Sequence, residues 1–88
     1  MGTRFRHGMI RLTKHAQEAI GLRGIDFAWL EATANSPDFV EIDPRHADRA
    51  RSYKAIAEYG GRVLRVVHRA EGNHIVIITA HFDRGARR

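Results

Sequence analysis

The second half of the chain carries three runs of β character, Ser52 to Glu58, Arg62 to Arg69 and His74 to Phe82, broken only by Gly60-Gly61 and by Glu71-Gly72-Asn73. Valine, isoleucine and aromatic side chains suit a pleated, half-buried surface, and breaks this short can join only antiparallel neighbours. The glycine pair fits a two-residue hairpin turn, and the second break fits a three-residue loop with Gly72 or Asn73 left-handed. An antiparallel meander is therefore the frame on which the rest must pack. "FVEI", residues 39–42, is a short leading strand candidate, and "DPRHADR", with Pro44 inside it, is a loop.

The first half has the helical period instead. Met9 to Leu12 is a short apolar-alternating stretch, and Thr13 is a good N-cap for a helix from Lys14 to about Leu22, with Ala16, Ala19, Ile20 and Leu22 partly on one face and Gly24 as its stop. Asp26 can cap a second helix in which Phe27, Leu30 and Ala34 recur at helical spacing, with Trp29 beside them. Ser36-Pro37 ends it, because a residue before proline is pushed out of the α region. The expected fold is α+β: two N-terminal helices on one face of a three- to four-stranded antiparallel sheet.

Register decides which residues share a face. With Ala70 opposite His74, Leu64 meets Ala80, Val66 meets Ile78 and His68 meets Val76, giving a nearly apolar side for the helices. With Tyr59 opposite Arg62, Ala55 and Ala57 join that side and Tyr53 lands opposite His68. The other face then carries Lys54, Ile56, Glu58, Val63, Arg65, Val67, Ile75, Ile77, Thr79 and His81, with Arg65 opposite Thr79. A tighter two-residue turn at Glu71-Gly72 would put Arg65 under the helices, where an unpaired guanidinium costs several kcal/mol, and is rejected on that ground.

Eighty-eight residues make a single domain, residues 1–88, with basic ends at 1–8 and 85–88. The chain has no cysteine, which removes disulfides and thiolate chemistry, and no apolar run fit for a signal peptide, so a cytoplasmic protein without membrane contact is expected. The formal charge is +5 and falls to +1 without Arg4, Arg6, Arg87 and Arg88. Such basic ends can attract nucleic-acid phosphate or merely keep the chain soluble.

Chemistry could sit on the exposed sheet face. Arg65 is always charged and can hold phosphate, while His81 can move protons near neutral pH, a combination suited to metal-independent RNA cleavage. The plainer alternative is that long polar side chains fill the solvent side of any half-exposed sheet. His15, at the second position of the first helix, sits by the positive end of its dipole and can serve as a neutral base or a packing residue. His68 and His74 fall on the core side near the hairpin tip, and His7 and His46 in terminal or loop segments. No HxH or HExxH spacing occurs, so neither a metal nor another cofactor is expected.

The stretch "LTKHAQEAIGLRGI" resembles the "HAxERMxERGI" opening of the bacterial family called domain of unknown function 4258, and "YGGRVLRVVHRAEGNHIVIITAHFDRG" resembles its closing hairpin. The likeness runs from about Ile10 to Gly85. His15, Ala16, Arg23, Gly24 and Ile25 fit the opening, and Arg65, Thr79, His81, Asp83 and Arg84 the close. The chain departs at Ala19, where the family often has arginine, and at Gly21 within the helix. Members look like distant relatives of the RelE and BrnT toxins, and that resemblance implies metal-free RNA cleavage and a neutralising antitoxin partner.

Three expectations follow. The first is a toxin-type endoribonuclease with Arg65 on phosphate, His81 and His15 as acid–base candidates, and Lys54, Arg84 and Arg23 as phosphate contacts. The second is a non-catalytic domain of the same fold that binds RNA or protein. The third is a homodimer formed through the open sheet edge, which must be covered somehow. They separate on geometry, since catalysis requires Arg65 and His81 to converge on one exposed pocket.

Overall fold

The computed structural model describes residues 9–83. Its elements are β1 (Met9–Leu12), α1 (Lys14–Arg23), α2 (Phe27–Asn35), β2 (Phe39–Ile42), β3 (Ala50–Ile56), a 3-10 turn (Ala57–Tyr59), β4 (Arg62–Glu71) and β5 (His74–Asp83). The fold is α+β as expected, but the sheet has five strands in the order β1-β5-β4-β3-β2 and is mixed. The additional strand is β1, which runs parallel to β5 with Ile10 beside Ile75 and Leu12 beside Ile77. The sequence marks Met9 to Leu12 only as a short apolar-alternating stretch, and a parallel partner more than sixty positions away leaves no local trace of the pairing.

Both helices begin where their caps dictate. Thr13 Oγ1 accepts from the Ala16 amide at 3.0 Å, and Asp26 Oδ1 accepts from the Ala28 amide at 2.9 Å. Gly24 closes α1 in the left-handed conformation (φ 63°), which lets its amide return to the Ile20 carbonyl. The helices cover one sheet face, α1 over β5 and α2 over β3 and β4. Ala16, Ile25, Leu30 and Ala34 pack there with Ile56, Leu64, Val66, Ile75, Ile77 and Ala80.

The hairpin registers differ from expectation, and the differences decide the faces. The β4–β5 turn is Gly72-Asn73, with Glu71 opposite His74 and His68 opposite Ile77. A bulge follows, so that Val67 pairs with Thr79, Arg65 with His81 and Leu64 with Phe82. Ile78 is the extra residue. Above the bulge the shift from the expected pairing is two residues, which preserves faces; below it the shift is one, which reverses them. Ile75 and Ile77 consequently lie under the helices rather than on the open face, while Val76 and His74 take the open side. His68, with its partner Ile77, stays on the helix side as expected.

The β3–β4 connection also reverses a face. Ala57–Tyr59 leave the strand in a 3-10 turn, and Gly60 and Gly61 both take positive φ (68° and 76°), so Tyr53 pairs with Arg65 and Lys54 with Leu64. Tyr53 and Ala55 therefore face away from the helices, and Lys54 and Ile56 face them, the opposite of the expected arrangement. The 3-10 turn takes up residues that a two-residue hairpin would have kept in the ladder.

One side chain links helix to bulge. The Thr13 hydroxyl that caps α1 also donates to the Ile78 carbonyl at 3.3 Å, and the Thr13 amide donates to the Ile77 carbonyl at 3.1 Å. The start of α1 is thereby fixed to the point where β5 changes phase.

Candidate functional site

The sheet registers lay the open face out in rows. One row runs Phe39, Tyr53, Arg65, His81 across four strands. The row on one side is Ala55, Val63, Asp83, and on the other Glu41, Arg51, Val67, Thr79. Val63, Val67 and Tyr53 are buried, so the polar groups stand on an apolar floor.

Arg65 and His81 touch. Arg65 Nη2 lies 2.8 Å from His81 Nε2. A guanidinium can only donate, so Nε2 accepts and the neutral imidazole carries its proton on Nδ1. Arg65 Nη1 also reaches Asp83 Oδ2 at 3.7 Å, and Arg65 Nε is buried without a hydrogen-bond partner. Burial holds the His81 pKa below its ordinary 6.5, the positive charges of Arg65, Arg23 and Arg51 add to that effect, and Asp83 opposes it. His81 is thus a neutral imidazole at pH 7, set among cations.

An open cavity of about 470 Å³ adjoins His81 and is lined by Arg23, Tyr59, Arg62, His81 and Phe82, with Arg65 outside its lining. Arg23 arrives from the last turn of α1, where a cation also suits the helix dipole. The Arg62 guanidinium sits 5.1 Å from the Tyr59 ring centre and 5.2 Å from that of Phe82. Tyr59 packs on Trp29 and Phe82 at centroid distances of 5.4 and 4.8 Å, yet keeps 42 % of its surface exposed. Two guanidiniums, an exposed ring and a neutral imidazole therefore converge on one opening.

The lower row is electrostatically closed. Tyr53 donates to Glu41 at 2.7 Å, and Arg51 pairs with Glu41 at 3.3 Å and with Asp43 at 3.6 Å. Amides of Arg45 and His46 donate to Asp43, and the first of these bonds is the main reason its carboxyl titrates below the usual 3.8.

Of the residues expected to act together, Arg65 touches His81, and Arg23 lines a cavity with His81 that Arg65 does not line. Lys54 does not: on the helix side of β3 it donates to the Ser36 carbonyl at 2.7 Å and lies 3.9 Å from Asp38. His15 is exposed on α1 and does not line the cavity. Arg84, His7 and the terminal arginines lie outside the described residues. Arg62 and Tyr59 escaped sequence reasoning because they flank a glycine turn and have no periodicity; the aromatic before the glycines and the arginine after them were the available signal. Among the described residues no three His, Asp or Glu side chains could jointly hold a metal ion, and no helix is long and apolar enough to cross a membrane.

Residues 12–82 match the family described as Domain of unknown function (DUF4258). No curated protein and no solved structure matches the chain.

Proposed function

We propose that this chain, which belongs to the domain of unknown function 4258 family, binds RNA at the Arg23–Arg62–His81 cavity and cleaves it without a metal. The observation that carries this reading is the contact of Arg65 with a neutral His81 at the wall of a cationic, aromatic cavity. Arg23 and Arg62 would hold the phosphodiester, and the exposed Tyr59 face offers a stacking surface for a base. His81 would take the ribose 2′ proton while Arg65 stabilises the charge that builds on phosphorus. The 2′ oxygen then forms its bond to phosphorus, the 5′ oxygen leaves and is protonated by water, and a 2′,3′-cyclic phosphate remains. The expected toxin-like role rests on this same chemistry.

A non-catalytic RNA-binding module of the same fold is favoured by one observation: Arg65 already occupies the lone pair that a base would use. Incubating purified protein with single-stranded RNA decides between them. Cleavage with cyclic-phosphate ends is expected, falling about 10²- to 10³-fold in Arg65→Ala. RNA that stays intact but bound would leave the binding module.

A further inference from the structure

The guanidinium of Arg65 is poorly used where it stands. Nη2 spends its hydrogen bond on a neutral nitrogen, Nη1 has a long ion pair with Asp83, and Nε is buried without a partner. An oxyanion is a better acceptor than an imidazole nitrogen, because it is charged and can take two parallel N–H bonds. The cavity is lined by Arg23, Arg62 and His81 but not by Arg65, so the guanidinium would meet an anion drawn there only by turning away from His81 Nε2.

We propose that Arg65 gates His81: an oxyanion entering the cavity takes the guanidinium in place of Nε2, so that capture of the anion frees the imidazole lone pair and draws a proton onto it. This rests on the cavity being an oxyanion site, and would make substrate binding itself the step that arms the base. Arg65 keeps all its protons throughout. The proton that reaches Nε2 comes from water when a simple anion binds, and from the 2′-hydroxyl when the ligand is RNA.

Charges facing His81 come from every neighbouring element. They are Arg65 on β4, Arg51 on β3, Arg23 on α1 and Asp83 on β5, with Arg62 and the Tyr59 hydroxyl on the same cavity. Neutralising Arg65 with an anion removes both a repulsive charge and a bond to the unprotonated ring. The two act in one direction, and by reciprocity the anion must bind more tightly as pH falls.

Nitrogen-15 spectra of the histidines, recorded against pH with and without sodium sulfate, test the proposal; sulfate keeps one charge state across neutral pH, whereas phosphate does not. In the wild type the neutral ring should carry its proton on Nδ1, and saturating sulfate should raise the His81 pKa by about one unit, a tenfold gain in proton affinity. In Arg65→Gln the pKa should already be raised, with little further change on adding sulfate. An equal rise in both proteins would mean simple Coulomb attraction and overturns the gate, as does the absence of any rise in the wild type. Should Arg65→Gln lose its fold, the wild-type tautomer decides: a proton on Nε2 is incompatible with the contact. The gate and the nuclease fail separately. The sulfate shift without RNA cleavage sinks only the enzyme, and cleavage without the shift sinks only the gate.

Discussion

Strand β4 holds two polar pairs three residues apart, and they behave oppositely. On the helix side His68 shares a 2.7 Å hydrogen bond with Ser52, a residue only 1 % exposed. On the open side His81 accepts from Arg65 at 2.8 Å among three cations. A hydroxyl can donate or accept and so satisfies an imidazole in either tautomer, whereas a guanidinium permits only the neutral ring and opposes its charging. The first pair is a settled structural contact. The second is conditional, and conditional contacts are where binding can do work.

The largest effects should separate these two histidines by activity. On the proposed nuclease reading, His81→Ala should lower RNA cleavage by about 10²- to 10⁴-fold, the span of a lost proton-transfer group, while His68→Ala should cut at the wild-type rate. Equal losses in gel-based cleavage rates would erase the distinction. Ser52→Ala tests the other side. Removing the hydroxyl bonded to the half-buried His68 ring should cost about 0.5–1.5 kcal/mol in urea unfolding with cleavage unchanged.

The pH dependence of folding is a smaller effect and sharpens the comparison further. Because the folded-state pKa of His81 lies below 6.5, its contribution is fully present above that pH. As pH falls through 6.5 toward the lowered value, the unfolded chain takes up the proton first and stability drops. Arg65→Gln should shallow this decline in thermal melts between pH 7 and 5, leaving the part due to burial. The smallest effect belongs at the exposed end of β4: Glu71→Gln, which breaks the exposed contacts to Arg11 and Arg69 at 3.5 and 3.7 Å, should change unfolding free energy by less than about 1 kcal/mol.

What could be read from the chain follows from where local chemistry is decisive. Thr13, Asp26 and Gly24 announce helix ends because a cap is a bond between near neighbours, and α1 and α2 begin and end accordingly. The strands are legible as runs for the same reason. Their pairing is not. In "IVII", residues 75–78, every position is apolar, so the sequence is silent about where alternation changes phase, and the bulge sits there. Arg65 and His81 kept their shared face because their stretch shifted by an even number of residues. Lys54 lost its place because the 3-10 turn shifted β3 by an odd one.

The sequence by itself therefore determined the α+β class, the two capped helices, the β runs and the polar pair that shares a face. Tertiary structure alone decided the parallel β1, the bulge held by Thr13, the contact between Arg65 and His81, and the cavity that joins Arg23 and Arg62 to His81. The physical reason is range. Caps, turns and propensities act within a few residues, whereas register is chosen by the summed burial of whole faces, and a single residue of slip moves every side chain across the sheet.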